Sequence, residues 1–279
     1  MSEVPERAAV LEALRAIGRL DDGAIDIAEA ALLLAALDRP GVALEPYRAH
    51  LAELADQARS STARSHSVDM QVATLTRLLV EHHGYRGDDQ TYDDLRNANL
   101  MDVIDRKVGL PVALGILWLH AGRAYGGDID GLGFPSHFLI RLAARGQRVI
   151  LDVFRGGTPL SASDLRQMLK RMQGLDKEIE PGHYAPVGNR DVLIRLQNNI
   201  KLRALAGDDT SRALQVLESM ALIAPDRGEL WWETAMLHSR LGNLKRAIAT
   251  LEGFLSGSSG ESGRHEIETL LRTLRGRMN

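Results

Sequence analysis

The run Gly109-Leu110-Pro111, followed by Val112, Ala113, Leu114, Ile116, Leu117, Trp118 and Leu119, constrains this chain more than any other stretch. Proline is tolerated at the first position of a helix, where its missing N–H would have no partner. The helix it opens, Pro111 to Tyr125, is apolar on nearly all sides, so it must be buried. It falls short of the roughly 20 residues that cross a bilayer. It is the natural core helix, and the segment after it, a strand and then a β-hairpin ending near Phe154, is the natural layer to pack on it.

The hairpin carries the chemistry. Residues 136–142 and 147–154 are strand-like runs around the tight turn Ala143-Ala144-Arg145-Gly146. A two-residue loop at Ala144-Arg145 sets His137 opposite Asp152. A loop at Arg145-Gly146 makes them diagonal neighbours on one face. Either register keeps imidazole and carboxylate within reach, and only a slip of one residue would part them. A histidine held by an aspartate is the base-and-orienter half of a nucleophilic triad. The same pair also reads as a buried polar contact that pins the hairpin register.

A Gly-x-Cys at a buried helix start, an Arg-x-x-Gly at its end, a strand histidine and a next-strand aspartate form the transglutaminase-like core pattern. Arg123, Gly126, His137 and Asp152 stand in that order here, and counting back from Arg123 and Gly126 puts Pro111 at the nucleophile position. The chain resembles more closely a bacterial family named for regulating sirC expression, which joins a transglutaminase-like domain to TPR repeats. That family's G-I-P-I-S-L, P-G-H-F and L-D-P-F motifs stand here as Gly109-Leu110-Pro111-Val112-Ala113-Leu114, Pro135-Ser136-His137-Phe138 and Leu151-Asp152-Val153-Phe154. The family itself has Pro at the nucleophile position. Two departures are this chain's own: Ser136 replaces a Gly and Val153 a Pro. The resemblance spans roughly residues 69–254. It implies an α+β, mostly helical fold: a papain-like, transglutaminase-like core with a small antiparallel sheet, followed by TPR helical repeats. It also implies a role in gene regulation.

Composition removes several alternatives. The formal charge of −3 leaves no electrostatic footprint for nucleic acid, and a DNA-binding helix-turn-helix lacks both a basic patch and a clear recognition helix. The 279 residues contain no cysteine, which excludes disulfides, thiolate metal sites and thiol mechanisms within them. The first 18 residues are acidic and amphipathic, unlike a signal peptide. A cytoplasmic protein without membrane contact is expected. His82 and His83 lie beside acidic residues, but neighbours on a helix diverge by about 100°, so they do not readily share an ion. No metal and no cofactor are expected.

The remaining pattern sets the organisation. Helices are expected over residues 6–20, 24–37, 45–60 and 68–83. Gly87-Asp88-Asp89-Gln90 is a loop whose acids, with Asp93 and Asp94, cap the next helix. Ser161-Ala162-Ser163-Asp164 caps a helix running to Met172, and residues 174–190 read as an inter-domain loop. Beyond Asp191 a repeat begins: Ala213 and Ala247, like Leu217 and Leu251, are 34 residues apart, the TPR period. Helices are expected over 191–206, 210–224, 228–241 and 243–256, with 264–277 as a cap and 257–263 as a flexible connection. The domains are then 1–188 and 189–279.

Trp231 fits the packing position of the second repeat and Trp232 the exposed one. Lys201, Arg203 and Arg240 are candidates to line a groove for an acidic peptide, with solvation as the plainer reading. The expected function is a non-catalytic interaction or regulatory protein, a pseudoenzyme whose repeats bind a protein or peptide partner. Gly109, Phe134, His137, Phe154, Lys201 and Trp232 are the expected binding residues. The alternative is a hydrolase that uses His137 and Asp152 with water or a non-cysteine nucleophile.

Overall fold

The computed structural model describes residues 4–61, 67–257 and 263–278. The chain forms two compact units. One is Asp22–Leu196; the other joins Glu6–Asp21 to Gln197–Asn279. This division differs from a cut between residues 188 and 189, because helix α1 (Arg7–Gly18) belongs with the C-terminal segment. Among the described residues no helix is long and apolar enough to cross a membrane.

In the first unit, α2 (Ile27–Ala36) starts at Asp26, whose carboxylate accepts from the Ala28 and Glu29 N–H groups. α3 (Glu45–Ser60) has Pro46 in its first turn. α4 (Val68–Thr76) continues as a π-helix over Arg77–His82 and closes at Gly84, φ +75°. Asp94 caps a short 3-10 turn, and Asn99 caps α5 (Leu100–Arg106), which ends at Lys107 with φ +61°. α6 (Pro111–Tyr125) is buried throughout Pro111–Leu119 and stops at Gly126, φ +88°.

Strands β1 (Arg86–Gly87) and β2 (Val108–Gly109) pair in parallel just before α6. The main sheet is antiparallel. It contains β3 (Asp128–Leu132), β4 (Ile140–Ala144), β5 (Gln147–Asp152), β6 (Thr158–Leu160) and β7 (Pro186–Val187), in the order β6-β5-β4-β3-β7. Both edge strands are short and carry a proline, Pro159 and Pro186, which discourages further pairing. Residues 174–190 are therefore more than a connection, since they supply β7. The expected strand over 136–142 begins only at Ile140, because Ser136 turns the chain at φ +61°.

The sheet meets α6 through Phe138. A Cβ on Gly115 of α6 would run into the Phe138 ring, and one on Gly131 of β3 would lie 2.7 Å from it. Two glycines thus leave a slot that one phenylalanine fills, which sets the helix close to the sheet. On the other side of the sheet α7 (Ala162–Gln173), started by a Ser161–Asp164 capping box, packs Leu165, Met168 and Leu169 on Leu132, Phe134 and Leu139.

α8 (Asn189–Ala206) begins in the first unit, where Asp22 caps it from a distant point in sequence. Asp22 Oδ2 accepts from Asn189 N at 2.8 Å and Oδ1 from Arg190 N at 2.9 Å. Asn189 Oδ1 in turn accepts from Arg123 Nη1 at 2.8 Å, which anchors the end of α6.

The second unit continues with α9 (Thr210–Ile223), α10 (Gly228–Arg240), α11 (Leu244–Gly257) and α12 (Arg264–Met278). The 34-residue pairs Ala213/Ala247 and Leu217/Leu251 are all buried. Ile248, Phe254, Ile267, Leu271 and Leu274 complete the core of its second half. α1 packs on α9 so closely that a Cβ on Gly18 would run into the Leu222 carbonyl. The expected connection over 257–263 lies, apart from its ends, outside the described residues.

Candidate functional site

The β4–β5 hairpin turns at Arg145-Gly146, whose φ angles of +50° and +80° are those of a two-residue type I′ turn. Ala144 pairs with Gln147 and Ile140 with Leu151. Of the two registers open to the sequence this is the diagonal one, and it brings His137 Nε2 to 2.9 Å from Asp152 Oδ1. Both residues are buried. Asp152 ends β5 and caps the 3-10 turn Val153–Arg155, so Oδ1 also accepts from Phe154 N at 3.1 Å. Oδ2 is buried without a hydrogen bond, and Arg155 Nε stands 3.8 Å from it. A carboxylate only accepts, so Nε2 donates, and in the neutral imidazole the lone pair falls to Nδ1. Nδ1 makes no hydrogen bond among the described residues.

The Phe154 ring meets the His137 ring edge-on at 6.2 Å, and Tyr92 meets Phe154 in the same way at 5.8 Å. Phe154 approaches only because position 87 is glycine: a Cβ there would lie 2.6 Å from the ring. The loop carrying Tyr92 is pinned by Asp88, which accepts from the Gln90 and Thr91 N–H groups, the Thr91 hydroxyl and Arg106. The Thr91 hydroxyl, followed by the Thr91 N–H, holds the Asp88 carboxyl down to about 2. Asn97 completes the loop by donating to Thr91 O and accepting from Arg106.

Pro111 occupies the first position of α6, and no side chain caps that helix. Its ring nitrogen is an amide without a proton, so the position holds no nucleophile. The arrangement can orient an imidazole and accept a proton or hydrogen bond at Nδ1. Among the described residues no group of three or more His, Asp or Glu is placed to hold a metal ion. His83 instead bonds Gln57 Oε1 at 2.7 Å, and the buried Tyr85 hydroxyl lies 2.7 Å from His50 Nε2 and 3.2 Å from Lys107 Nζ.

Three expected binding residues lie within the packing. Gly109 is buried where a Cβ would lie 2.8 Å from Val103. Phe134 belongs to the core beneath α7. Lys201 is buried with its ammonium 2.5 Å from Glu233, so it offers no free charge to a groove. Trp232 is 39 % exposed, whereas Trp231 packs on Phe254 and donates to Pro225 O at 2.9 Å. Phe154 flanks the His137–Asp152 pair. Tyr92 and Arg195, whose guanidinium lies over the Phe138 ring at 5.6 Å, escaped sequence reading. Asp88, expected among the acids that cap the next helix, instead binds within its own loop, and Asp94 makes the cap. Only Gly87, next to the acidic loop, hinted at a close approach.

Comparison with known proteins agrees with this architecture. The tetratricopeptide repeat pattern matches residues 200–272. A UPF0162 protein of Xylella fastidiosa is 26% identical over 242 residues, covering 86% of each chain. Human F-box only protein 21 is 23% identical over 223 residues, which cover 71% of this chain and 35% of that protein. The crystal structure of menin that reveals the binding site for Mixed Lineage Leukemia (MLL) protein superposes with a TM-score of 0.44 at 10% identity, over 90% of this chain and 70% of that one. That superposition is too loose to argue from. The transglutaminase-like superfamily pattern matches residues 45–198, more than half of the sequence and all of the hairpin, and the chain belongs to that superfamily.

Proposed function

We propose that this chain is a regulatory interaction protein of the cytoplasm. Its transglutaminase-like body keeps the His–Asp pair without a nucleophile, and its repeats hold a segment of a partner protein. One observation carries this reading: a buried His137–Asp152 pair is kept in a chain whose core helix starts with Pro111 and whose sequence has no cysteine. Acyl transfer on such a scaffold needs a thiolate at the helix start, and a serine substitute is missing from Gly109–Leu119 as well. In the repeats, partner recognition falls to exposed groups such as Trp232 rather than to Lys201, which Glu233 neutralises.

The test has two arms. An amide-hydrolysis and amine-incorporation screen of the full chain should show no turnover. Capture of the main partner from the source lysate should weaken when Trp232 is changed to alanine with circular dichroism unaltered. Unchanged capture would count against the repeat face.

A second reading, slow hydrolysis by water activated at His137, draws support from the unengaged Nδ1. Turnover that disappears in a His137→Ala variant would replace the first reading with this one.

A further inference from the structure

A solvent-open pocket of about 560 Å³, with Ser60, Arg77 and His82 exposed along it, lies away from the hairpin, between α3 and the π-helical segment. Gln57, Ser60 and Ser61 line it from α3 and its C-cap, at the three- and four-residue spacing of one helix face. Thr74, Arg77, Leu78 and His82 line it from the other side. The π-helix makes that second set possible. It closes each turn later than an α-helix, as the His83 N to Leu78 O bond shows, so side chains five apart come round to one side. In an α-helix Arg77 and His82 would point apart.

Among the described residues the lining therefore holds a guanidinium, an imidazole and three hydroxyls and no carboxylate, and its one amide, Gln57, is taken up by Glu53 and His83. Of the nearby acids of α3, Glu53 accepts from the lining residue Gln57 at 3.0 Å, and Asp56 pairs with Arg59 at 2.6 Å. Arg77 has no ion pair among the described residues. A site of this kind suits an anion with more acceptor oxygens than a carboxylate has. The volume is that of a small-molecule pocket, roughly 300–1,000 Å³, and exceeds what a bare oxyanion fills.

We infer that this pocket binds a small organic phosphomonoester, with Arg77, His82 and the hydroxyls on the phosphate and Leu78 against the organic part. A phosphate monoester carries a charge of about −1.5 to −2 near neutrality and three terminal oxygens, which matches one fork-shaped cation, one imidazole and three hydroxyl donors.

The test is calorimetric titration of the full chain with phenyl phosphate, inorganic phosphate and phenylacetate. Phenyl phosphate should bind saturably and more tightly than either of the others. Arg77→Gln should weaken it by at least about tenfold, the usual consequence of losing a charge-assisted hydrogen bond. His82→Gln reads the same site if Arg77→Gln fails to fold. Absence of saturable binding, binding indifferent to both variants, or phenylacetate bound as tightly would each overturn the proposal. Inorganic phosphate bound as tightly as phenyl phosphate would overturn it too, because the organic part would then count for nothing.

Discussion

Changing Asp152 to alanine removes the acceptor of two donors at once, the buried His137 Nε2 at 2.9 Å and the half-buried Phe154 N at 3.1 Å. Each donor left without a partner costs about 1–3 kcal/mol. The loss is partly offset, because Oδ2, buried without a hydrogen bond, disappears as well. The net expectation is a destabilisation of about 2–4 kcal/mol. For a body of this size each kcal/mol moves the melting point by about 2–4 °C, so a fall of about 5–15 °C follows. Calorimetry of the full chain measures the fall, and amide exchange along Ile140–Ala144 and Gln147–Asp152 locates it. Asp152→Asn keeps the Oδ1 acceptor and should lose much less. A melting point that alanine leaves unmoved, or an asparagine variant as damaged as the alanine one, would refute the reasoning.

Three further outcomes follow from other residues. Ser136→Gly should stabilise the chain by about 0.5–1 kcal/mol in urea unfolding, because relief of the left-handed φ of +61° outweighs the added chain entropy. Gly115→Ala should destabilise by about 1–3 kcal/mol or more, since the new methyl collides with the Phe138 ring; a neutral result would mean that the helix is not held this close. His50 is held down to about 4 by burial, then by the charges of Lys107 and His83. Its folded value lies below the unfolded one, so the stability it contributes is present above about pH 6.5 and is lost as pH falls towards 4. After allowance for partial solvent screening the loss is about 1–2 kcal/mol. The urea midpoint of His50→Gln, which keeps an acceptor for the Tyr85 hydroxyl, should fall less between neutral pH and pH 4.5 than that of the unaltered chain; equal falls would remove His50 from the account.

The core helix was legible because a proline, an unbroken apolar run and Gly126 mark its start, its burial and its stop. The His137–Asp152 contact was legible because a two-residue turn fixes which positions can meet. The repeats showed through Ala213 and Ala247 at a fixed spacing. Other features depend on partners far away in sequence. Lys201 sits where a small residue is expected, and nothing local says that Glu233 will neutralise it. Pro186-Val187 is too short to show a period, so β7 passed for loop. The residues of Arg77–His82 are compatible with an ordinary helix, and only the packed structure selects the wider ladder. Phe134 looked like an available aromatic because α7, which covers it, comes later in the chain.

The position of α1 has a consequence for synthesis. Gly18 packs against the Leu222 carbonyl, so α1 leaves the ribosome about 200 residues before the helix it packs on. At about 5–20 residues per second it waits on the order of 10–40 s with Val10 and Leu14 uncovered. The unit between them, Asp22–Leu196, can close during that interval. The repeat unit cannot close until translation has passed α9. Its earliest-made helix is thus among the last to find its place, and a nascent chain arrested before residue 222 should expose an apolar helix that chaperones bind.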